Sequence, residues 1–274
     1  MTIAISGATG QLGRAALAAL ARPDLVALAR DPSKAPQGIE ARAFDYAAPD
    51  ASALKGVDTF VLISSNSFED RAGDHLRAIE AAKTAGVRRI IYTSILKGTD
   101  SPLEIAEDHK ITERAIRASG LPFTILRNGW SIENFTGSLQ GAIAHGAMAG
   151  AAGDARFSSA ARQDFAEAIA ATVGEGHAGQ VYELAGDNAH TMADIAAEVS
   201  RITGKTIPYH TLPEADYAAM LAAFGLPPAF AAMLADADVQ ARAGGLYDDS
   251  RTLSRLIGRP TTPMAKVVQA ALAA

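Results

Sequence analysis

The sequence predicts an α/β protein in which a doubly wound parallel sheet is followed by a smaller, mostly helical lobe towards the C-terminus. Three observations support this fold class. Short runs of β-branched and apolar residues alternate with alanine-rich helical patterns through the first half of the chain. Several of these runs are apolar on both faces, as buried parallel strands require. A glycine-rich turn joins the first run to the first helical pattern.

The predicted strands and helices of the first half follow one another in regular order. In the predicted helix at 106–119, Glu113 and Arg117 have the i,i+4 spacing of an ion pair, and Gly120 marks the end of the helix. Right-handed crossovers between the strands then produce an open sheet. The strands are 2–6, 24–30, 39–45, 58–64, 88–94 and 123–129, and the helices are 11–22, 70–85 and 106–119.

The pattern becomes less regular after residue 129. The segment 141–155 is rich in glycine and alanine and predicts a loop or a close-packed region. Thr191 and Gly204 have the residue types of a helix cap and a helix stop. The predicted elements are a helix at 161–176, a strand at 181–186, a helix at 190–205, two helices within 214–240 separated at Pro227 and Pro228, and a turn-rich connection at 244–250.

This order of elements predicts a division of the chain. We expect a Rossmann-like domain at 1–130, with segments near 161–186 and 250–258 returning to it. Residues 131–160 and 187–249 are expected to form a substrate-side lobe, and residues 259–274 a C-terminal helix.

Composition excludes several classes of function. The 274 residues are 49% hydrophobic and 20% charged, with a net charge of −5 and no basic patch, so nucleic-acid binding is disfavoured. The absence of cysteine excludes thiol nucleophiles, and the histidines lack the spacing of metal ligands, so no metal site is predicted. No apolar run reaches membrane-spanning length and no leader pattern follows Met1, so we expect a cytoplasmic protein without a membrane partner.

The segment Gly7-Ala8-Thr9-Gly10-Gln11-Leu12-Gly13 directly follows a predicted strand and begins a helix. Glycines at these positions let the phosphates of a dinucleotide approach the free N–H groups of the helix N-terminus. The second strand ends in Arg30, whose planar guanidinium suits a 2′-phosphate and favours NADPH. Asp31 leaves the alternative open, because a strand that ends one residue later would place a carboxylate there and favour NAD.

The usual catalytic pair of short-chain dehydrogenases is absent. None of the six tyrosines has a lysine four positions further on, so the Tyr-x-x-x-Lys proton donor cannot form. Alcohol oxidation and sugar epimerisation that depend on this pair are therefore disfavoured.

The ordered segments "ISGATGQLG", "LARDPSKA", "AAKTAGVRRIIYTS", "SPLEIAEDHKITE", "LRNGWSIENF" and "LIGRPTT" resemble the NmrA-like group of atypical short-chain dehydrogenases. Within that group the chain is most similar to the bacterial NADPH-dependent quinone reductases of the second type, over essentially its whole length. The resemblance implies cofactor contacts at Gly7, Ala8, Thr9, Gly10, Gln11, Leu12, Arg30, Asn66, Ser67, Phe68, Asn128, Gly129, Trp130, Ser131, Ile132 and Glu133.

The same resemblance implies reduction of quinones by direct hydride transfer from NADPH, without flavin. Asn134 is the candidate hydrogen-bond donor to the quinone oxygen, and Trp130 and Phe135 are candidates for an aromatic wall. A helix cap or turn is the alternative role of Asn134, and core packing that of Trp130. The alternative functions are a dinucleotide-binding redox sensor without turnover and a reductase of another small carbonyl or enone. We expect a small-molecule partner and a monomer or homodimer.

Overall fold

A computed structural model of the chain describes residues 1–67 and 69–273. Its strands are β1 (Ile3–Ile5), β2 (Leu25–Ala29), β3 (Glu40–Ala43), β4 (Thr59–Leu62), β5 (Arg89–Ile95), β6 (Phe123–Asn128), β7 (Met148–Gly150), β8 (Gln180–Leu184) and β9 (Tyr209–Thr211). Its helices are α1 (Gln11–Leu20), α2 (Arg71–Thr84), α3 (Ala106–Ala118), α4 (Glu133–Thr136), α5 (Leu139–His145), α6 (Arg162–Thr172), α7 (Met192–Thr203), α8 (Glu214–Ala223), α9 (Pro228–Arg242), α10 (Thr252–Ile257) and α11 (Met264–Ala273).

The main sheet has the strand order β3-β2-β1-β4-β5-β6-β8, and strands β1 to β6 pair in parallel. The reversal of order between β1 and β4 is the switch point of a doubly wound fold. The predicted α/β fold class is therefore confirmed. Every residue of β1, β2 and β4 is buried, which explains why these segments read as apolar on both faces.

Local signals set the ends of several helices. The side chain of Asp70 accepts a hydrogen bond from the backbone of Gly73 and caps α2. Thr191 and Asp194 form a capping box at the start of α7, and Gly204 ends that helix in the left-handed conformation. The predicted cap and stop of this helix are confirmed.

The described residues divide into two compact units. The first contains Met1–Gly98, Glu107–Asn128 and Arg162–Tyr182, and the second contains Thr99–Ala106, Gly129–Ala161 and Glu183–Ala274. Residues 250–258 belong to the second unit, whereas the sequence predicted their return to the first. The physical reason is that both flanks of this segment are bonded to other residues of the second unit. The backbone N–H of Asp248 donates to the Ser158 hydroxyl at 3.1 Å, and that of Thr261 donates to the Asp187 carboxylate at 3.0 Å.

Two short elements occupy part of the segment 141–155, for which the sequence predicted a loop or a close-packed region. Helix α5 ends at Gly146, which is in the left-handed conformation, and the three-residue strand β7 pairs in parallel with β9. The backbone N–H of Ala151, which follows β7, donates to the Asp238 carboxylate of α9 at 2.8 Å. The glycine and alanine content therefore marks close packing here as well as turns.

Asp238 should make the stability of the protein depend on pH. Burial raises the pKa of this carboxyl from its ordinary 3.8 to about 6. The folded protein thus binds the proton more tightly than the unfolded chain does. Its free energy of unfolding should fall by about 3 kcal/mol as the pH rises from about 4 through the folded-state pKa.

The variant Asp238→Asn keeps an oxygen for the Ala151 N–H and cannot ionise, so this part of the pH dependence should disappear. Denaturant unfolding across the same pH range measures the effect, with the exposed Asp154→Asn as the matched control. Parallel pH profiles of the parent and Asp238→Asn would contradict the prediction.

Candidate functional site

Close backbone contacts shape the turn between β1 and α1. Gly7 has φ +61°, a left-handed conformation that favours glycine, and its carbonyl accepts the N–H of Gly10 at 2.9 Å. A Cβ on Gly13 would lie 2.2 Å from that same Gly7 carbonyl oxygen. The start of α1 therefore rests directly against the turn, as the glycine spacing predicts.

The N-terminus of α1 is suited to a phosphate group. Gly10 occupies the N-cap position, no side chain caps the first turn, and that turn carries no acidic residue. Free N–H groups at the start of a helix, together with the helix dipole, attract anions. The residues from Gly7 to Leu12 thus fit the pyrophosphate of a dinucleotide.

Arg30 is the first residue after β2, so the observed strand end places the arginine, and not Asp31, next to the sheet edge. The Asp31 carboxylate accepts hydrogen bonds from the backbone and hydroxyl of Ser33. Arg30 is exposed and, among the residues that the structure describes, makes no hydrogen bond or ion pair. Arg14 joins the turn to the following segment by donating to the carbonyls of Thr9 and Lys34. These contacts leave the Arg30 guanidinium available for a 2′-phosphate.

The loop after β4 carries two of the predicted cofactor residues, Asn66 and Ser67. The backbone N–H of Ser67 donates to the Ser65 hydroxyl at 3.0 Å, and the Arg71 guanidinium donates to the Ser65 carbonyl at 2.8 Å. Phe68, the third predicted residue of this loop, lies outside the described residues. Because parallel strands end at one edge of a sheet, this loop and the glycine turn share that edge.

Asn128, the last residue of β6, belongs to the same edge. Its side-chain oxygen is shielded from solvent and accepts no hydrogen bond from the described part of the chain. Buried polar atoms in native proteins nearly always have a partner, so this oxygen fits a ligand that donates a hydrogen bond. Three features therefore fit a nicotinamide dinucleotide: the unpartnered Asn128 oxygen, the uncapped N-terminus of α1 and the unpaired Arg30.

A buried ion pair fixes the backbone just before Asn128. Both oxygens of the Glu113 carboxylate accept from the Arg127 guanidinium, at 2.9 and 2.7 Å, and Ser94 donates to the same carboxylate at 2.7 Å. Arg117, the partner expected from the i,i+4 spacing, is 4.0 Å away and largely exposed. The main partner of Glu113 is therefore the strand residue.

The remaining predicted residues, Gly129 to Phe135, are in the second unit. Ser131 pairs with Ala160, and the Ile132 N–H donates to the carbonyl of Ala160 at 3.0 Å. Asn134 lies inside the short helix α4 and is exposed, whereas the cap position is Ile132. Trp130 is half-buried. Asn134 and Trp130 therefore present side-chain surface that a small molecule can reach.

Phe135 has a different environment. Its ring is 8% exposed and packs edge-on against Phe157 and His190, with ring centroids 5.2 and 6.2 Å away. Both partners belong to the second unit, as Phe135 does. A role in a substrate wall therefore stays a prediction, and packing is the contact that the structure describes.

Sequence reasoning did not predict the contacts of several polar residues that shape the first unit. The Tyr46 hydroxyl contacts the Ser6 hydroxyl at 2.7 Å and donates to the Ile63 carbonyl at 2.6 Å, so it joins the ends of β1 and β4. On α3, the buried face carries His109, Thr112 and Glu113. The segment "EDHKITE" did contain a signal for these buried polar residues. They stand at the i, i+3 and i+4 positions, which place them on one face of the helix.

A cavity of about 200 Å³ lies within the second unit. It contains none of the predicted site residues. Its walls include the pair Ser159 and His190, whose hydroxyl oxygen and Nε2 are 2.8 Å apart, and burial lowers the pKa of His190 to about 4. The ring is therefore neutral at ordinary pH.

Two further findings concern residues 1–67 and 69–273. Within them, no helix is both long and apolar enough to pass through a bilayer. The same residues contain no cluster of three or more histidine, aspartate or glutamate side chains with the geometry to hold a metal ion.

Comparison with known proteins extends this description. Residues 7–175 match the family model described as NAD(P)H-binding. The Escherichia coli (strain K12) protein quinone oxidoreductase 2 is 49% identical over 277 residues, which cover 97% of each chain. The crystal structure of the E. coli NADPH-dependent quinone oxidoreductase QOR2 complexed with NADPH has a TM-score of 0.94 and 48% identity, and the match covers 99% of this chain and 100% of that one. The (4-alkanoyl-5-oxo-2,5-dihydrofuran-3-yl)methyl phosphate reductase of Streptomyces griseus is 31% identical, over 95% of this chain and 94% of its own.

Proposed function

Because the chain belongs to the NAD(P)H-binding family, we propose that it reduces quinones to hydroquinones by direct hydride transfer from NADPH, without flavin. The observation that carries the proposal is the full-length similarity to quinone oxidoreductase 2. The open helix N-terminus, the unpaired Arg30 and the orphaned Asn128 oxygen support NADPH as the hydride donor.

The residues of the first unit would bind and orient the dinucleotide. The N–H groups at the start of α1 would receive the pyrophosphate, and Arg30 would pair with the 2′-phosphate. Asn66, Ser67 and Asn128 would contact the remainder of the cofactor from the same sheet edge. Gly129 to Glu133 are the proposed contacts from the second unit.

Quinone reduction requires few catalytic groups from the protein. The reduced nicotinamide supplies a hydride, and thus both electrons, while a proton from water completes the hydroquinone. Negative charge develops on a quinone oxygen during the transfer. A neutral amide donor suffices to stabilise that charge, and the exposed Asn134 is our candidate for it, with Trp130 as an aromatic surface for the ring. This requirement is compatible with the absence of a Tyr-x-x-x-Lys pair.

The proposal predicts that purified protein oxidises NADPH when a small benzoquinone is added. Asn134→Ala should lower kcat with the quinone by at least about tenfold, because one donor to the developing oxyanion is lost. The dissociation constant for NADPH should stay unchanged in this variant. Absorbance of NADPH measures turnover, and nicotinamide fluorescence measures binding.

Gln140→Ala, which removes an exposed carboxamide from the neighbouring helix α5, is the control and should have no effect. Binding of NADPH without turnover on any quinone would contradict the proposal and support a redox sensor. The similarity to a reductase of an unsaturated lactone favours a second candidate, reduction of a small enone. A panel that includes such a lactone distinguishes the two substrate classes.

A further inference from the structure

The loop after β4 is held by side chains from neighbouring elements. The backbone N–H of Ser64 donates to the Thr93 hydroxyl at 2.9 Å, and that of Ser65 donates to Nε2 of His75 at 2.8 Å. Asn66 and Ser67 directly follow these two anchored residues. A backbone N–H seldom donates to an imidazole nitrogen. The side chain at position 75 therefore helps to determine the conformation of this loop.

The hydrogen bonds of His75 define its tautomer. Since Nε2 accepts from Ser65, the ring proton is on Nδ1, which donates to the Thr112 hydroxyl at 2.9 Å. Thr112 in turn donates to the Asp108 carbonyl at 2.7 Å. A continuous chain of donors and acceptors therefore runs from the loop through His75 to α3.

Burial keeps this arrangement constant with pH. His75 is fully buried, and desolvation together with the nearby Arg71 guanidinium lowers its pKa to about 3. Tyr92, 3.4 Å from Nδ1 of His75, contacts Nδ1 of His109 at 2.7 Å. Burial also lowers the pKa of His109 to about 3, so both rings are neutral and Nε2 of His75 remains an acceptor.

We infer that His75 is a positioning residue for NADPH binding: through the Ser65 N–H it holds Asn66 and Ser67 in the conformation that contacts the cofactor. This inference rests on the proposed NADPH site. His75 itself touches neither the cofactor nor the quinone. Its effect is expected in cofactor affinity and not in the rate of hydride transfer.

Two amide substitutions separate positioning from packing. In His75→Gln the side-chain oxygen can occupy the place of Nε2 and accept from Ser65, whereas the shorter amide of His75→Asn reaches only towards Thr112. Both variants lose the ring and should be destabilised alike. We expect about tenfold weaker NADPH binding in His75→Asn and less than about threefold in His75→Gln.

NADPH fluorescence titration, done without quinone, is the direct measurement, so the result is independent of whether quinones are substrates. At saturating NADPH, kcat of His75→Asn should stay near that of the parent while KM for NADPH rises. Equal loss of affinity in both variants, in step with equal loss of Tm, would reduce His75 to a packing residue and overturn the inference. Unchanged affinity in both would also overturn it.

A second pair applies if His75→Asn does not fold. Thr112→Val removes the acceptor of the His75 Nδ1–H, and Thr112→Ser retains the hydroxyl. Weaker NADPH binding in the valine variant, restored in the serine variant, is expected. Equal affinities of the two Thr112 variants would contradict the chain of hydrogen bonds.

Discussion

Alanine at position 13 is expected to abolish measurable NADPH binding and to lower the free energy of unfolding by about 3 kcal/mol. A Cβ there would lie 2.2 Å from the Gly7 carbonyl oxygen and 2.8 Å from Cα of Ala8. Both are backbone atoms, so no side-chain rotation can relieve the contact. The start of α1 must move away from the turn, and its N–H groups then lose the arrangement that we propose receives the phosphates.

Gly141→Ala is the matched control. Gly13 and Gly141 are each the third residue of their helix, α1 and α5, but a Cβ on Gly141 meets open space. The control should be stabilised by about 0.5 to 1 kcal/mol, because alanine favours the helix more than glycine does. Denaturant unfolding and NADPH titration of both variants provide the comparison. Retained NADPH affinity in Gly13→Ala would show that the contact at the turn is not required for binding.

Arg30→Glu should shift the preference between NADPH and NADH by about a hundredfold or more, because a carboxylate replaces the cation that we propose pairs with the 2′-phosphate. Two observations support Arg30 in this role. Arg30 is exposed just after β2, whereas the Asp31 carboxylate already accepts two hydrogen bonds from Ser33. The loss should appear as a higher KM for NADPH. The values for NADH should change little, because NADH has a 2′-hydroxyl at this place.

Arg114→Glu provides the same change of charge on the exposed face of α3 and should leave both cofactors unaffected. Steady-state kinetics with each cofactor, at one fixed quinone concentration and several salt concentrations, separates a specific contact from general screening. An unchanged ratio of kcat/KM for the two cofactors in Arg30→Glu would remove Arg30 from the cofactor site.

Local patterns predicted most of the first unit. Strands that are apolar on both faces and helices with clear stop residues have signals within a few positions, and the observed elements fall inside or close to the predicted ranges. The signal for the glycine-rich turn is equally local, because strand, glycines and helix are consecutive. The secondary structure of residues 139–150 was harder to predict. Small residues occur in turns, in helices and at close contacts alike, so composition did not distinguish α5 and β7 from a loop.

The contacts that shape the site depend on residues far apart in the chain. Tyr46 meets Ser6, His75 meets Thr112, and Glu113 meets Arg127 only because the sheet order brings their elements together. The i,i+4 rule pointed to Arg117 as the partner of Glu113, yet burial selected Arg127, which offers two nitrogens to one carboxylate. Pairings of this kind follow from topology and cannot be obtained from spacing.

The discontinuity of the first unit bears on its biosynthesis and its modularity. Its last segment ends at Tyr182, and the chain leaves and re-enters the unit twice before that point. During translation, strand β8 can join the edge of the sheet only after roughly two thirds of the chain has been made. A truncation before β8 would leave the edge of β6 uncovered. A contiguous fragment that keeps the whole sheet must therefore also carry residues Gly129–Ala161 of the second unit.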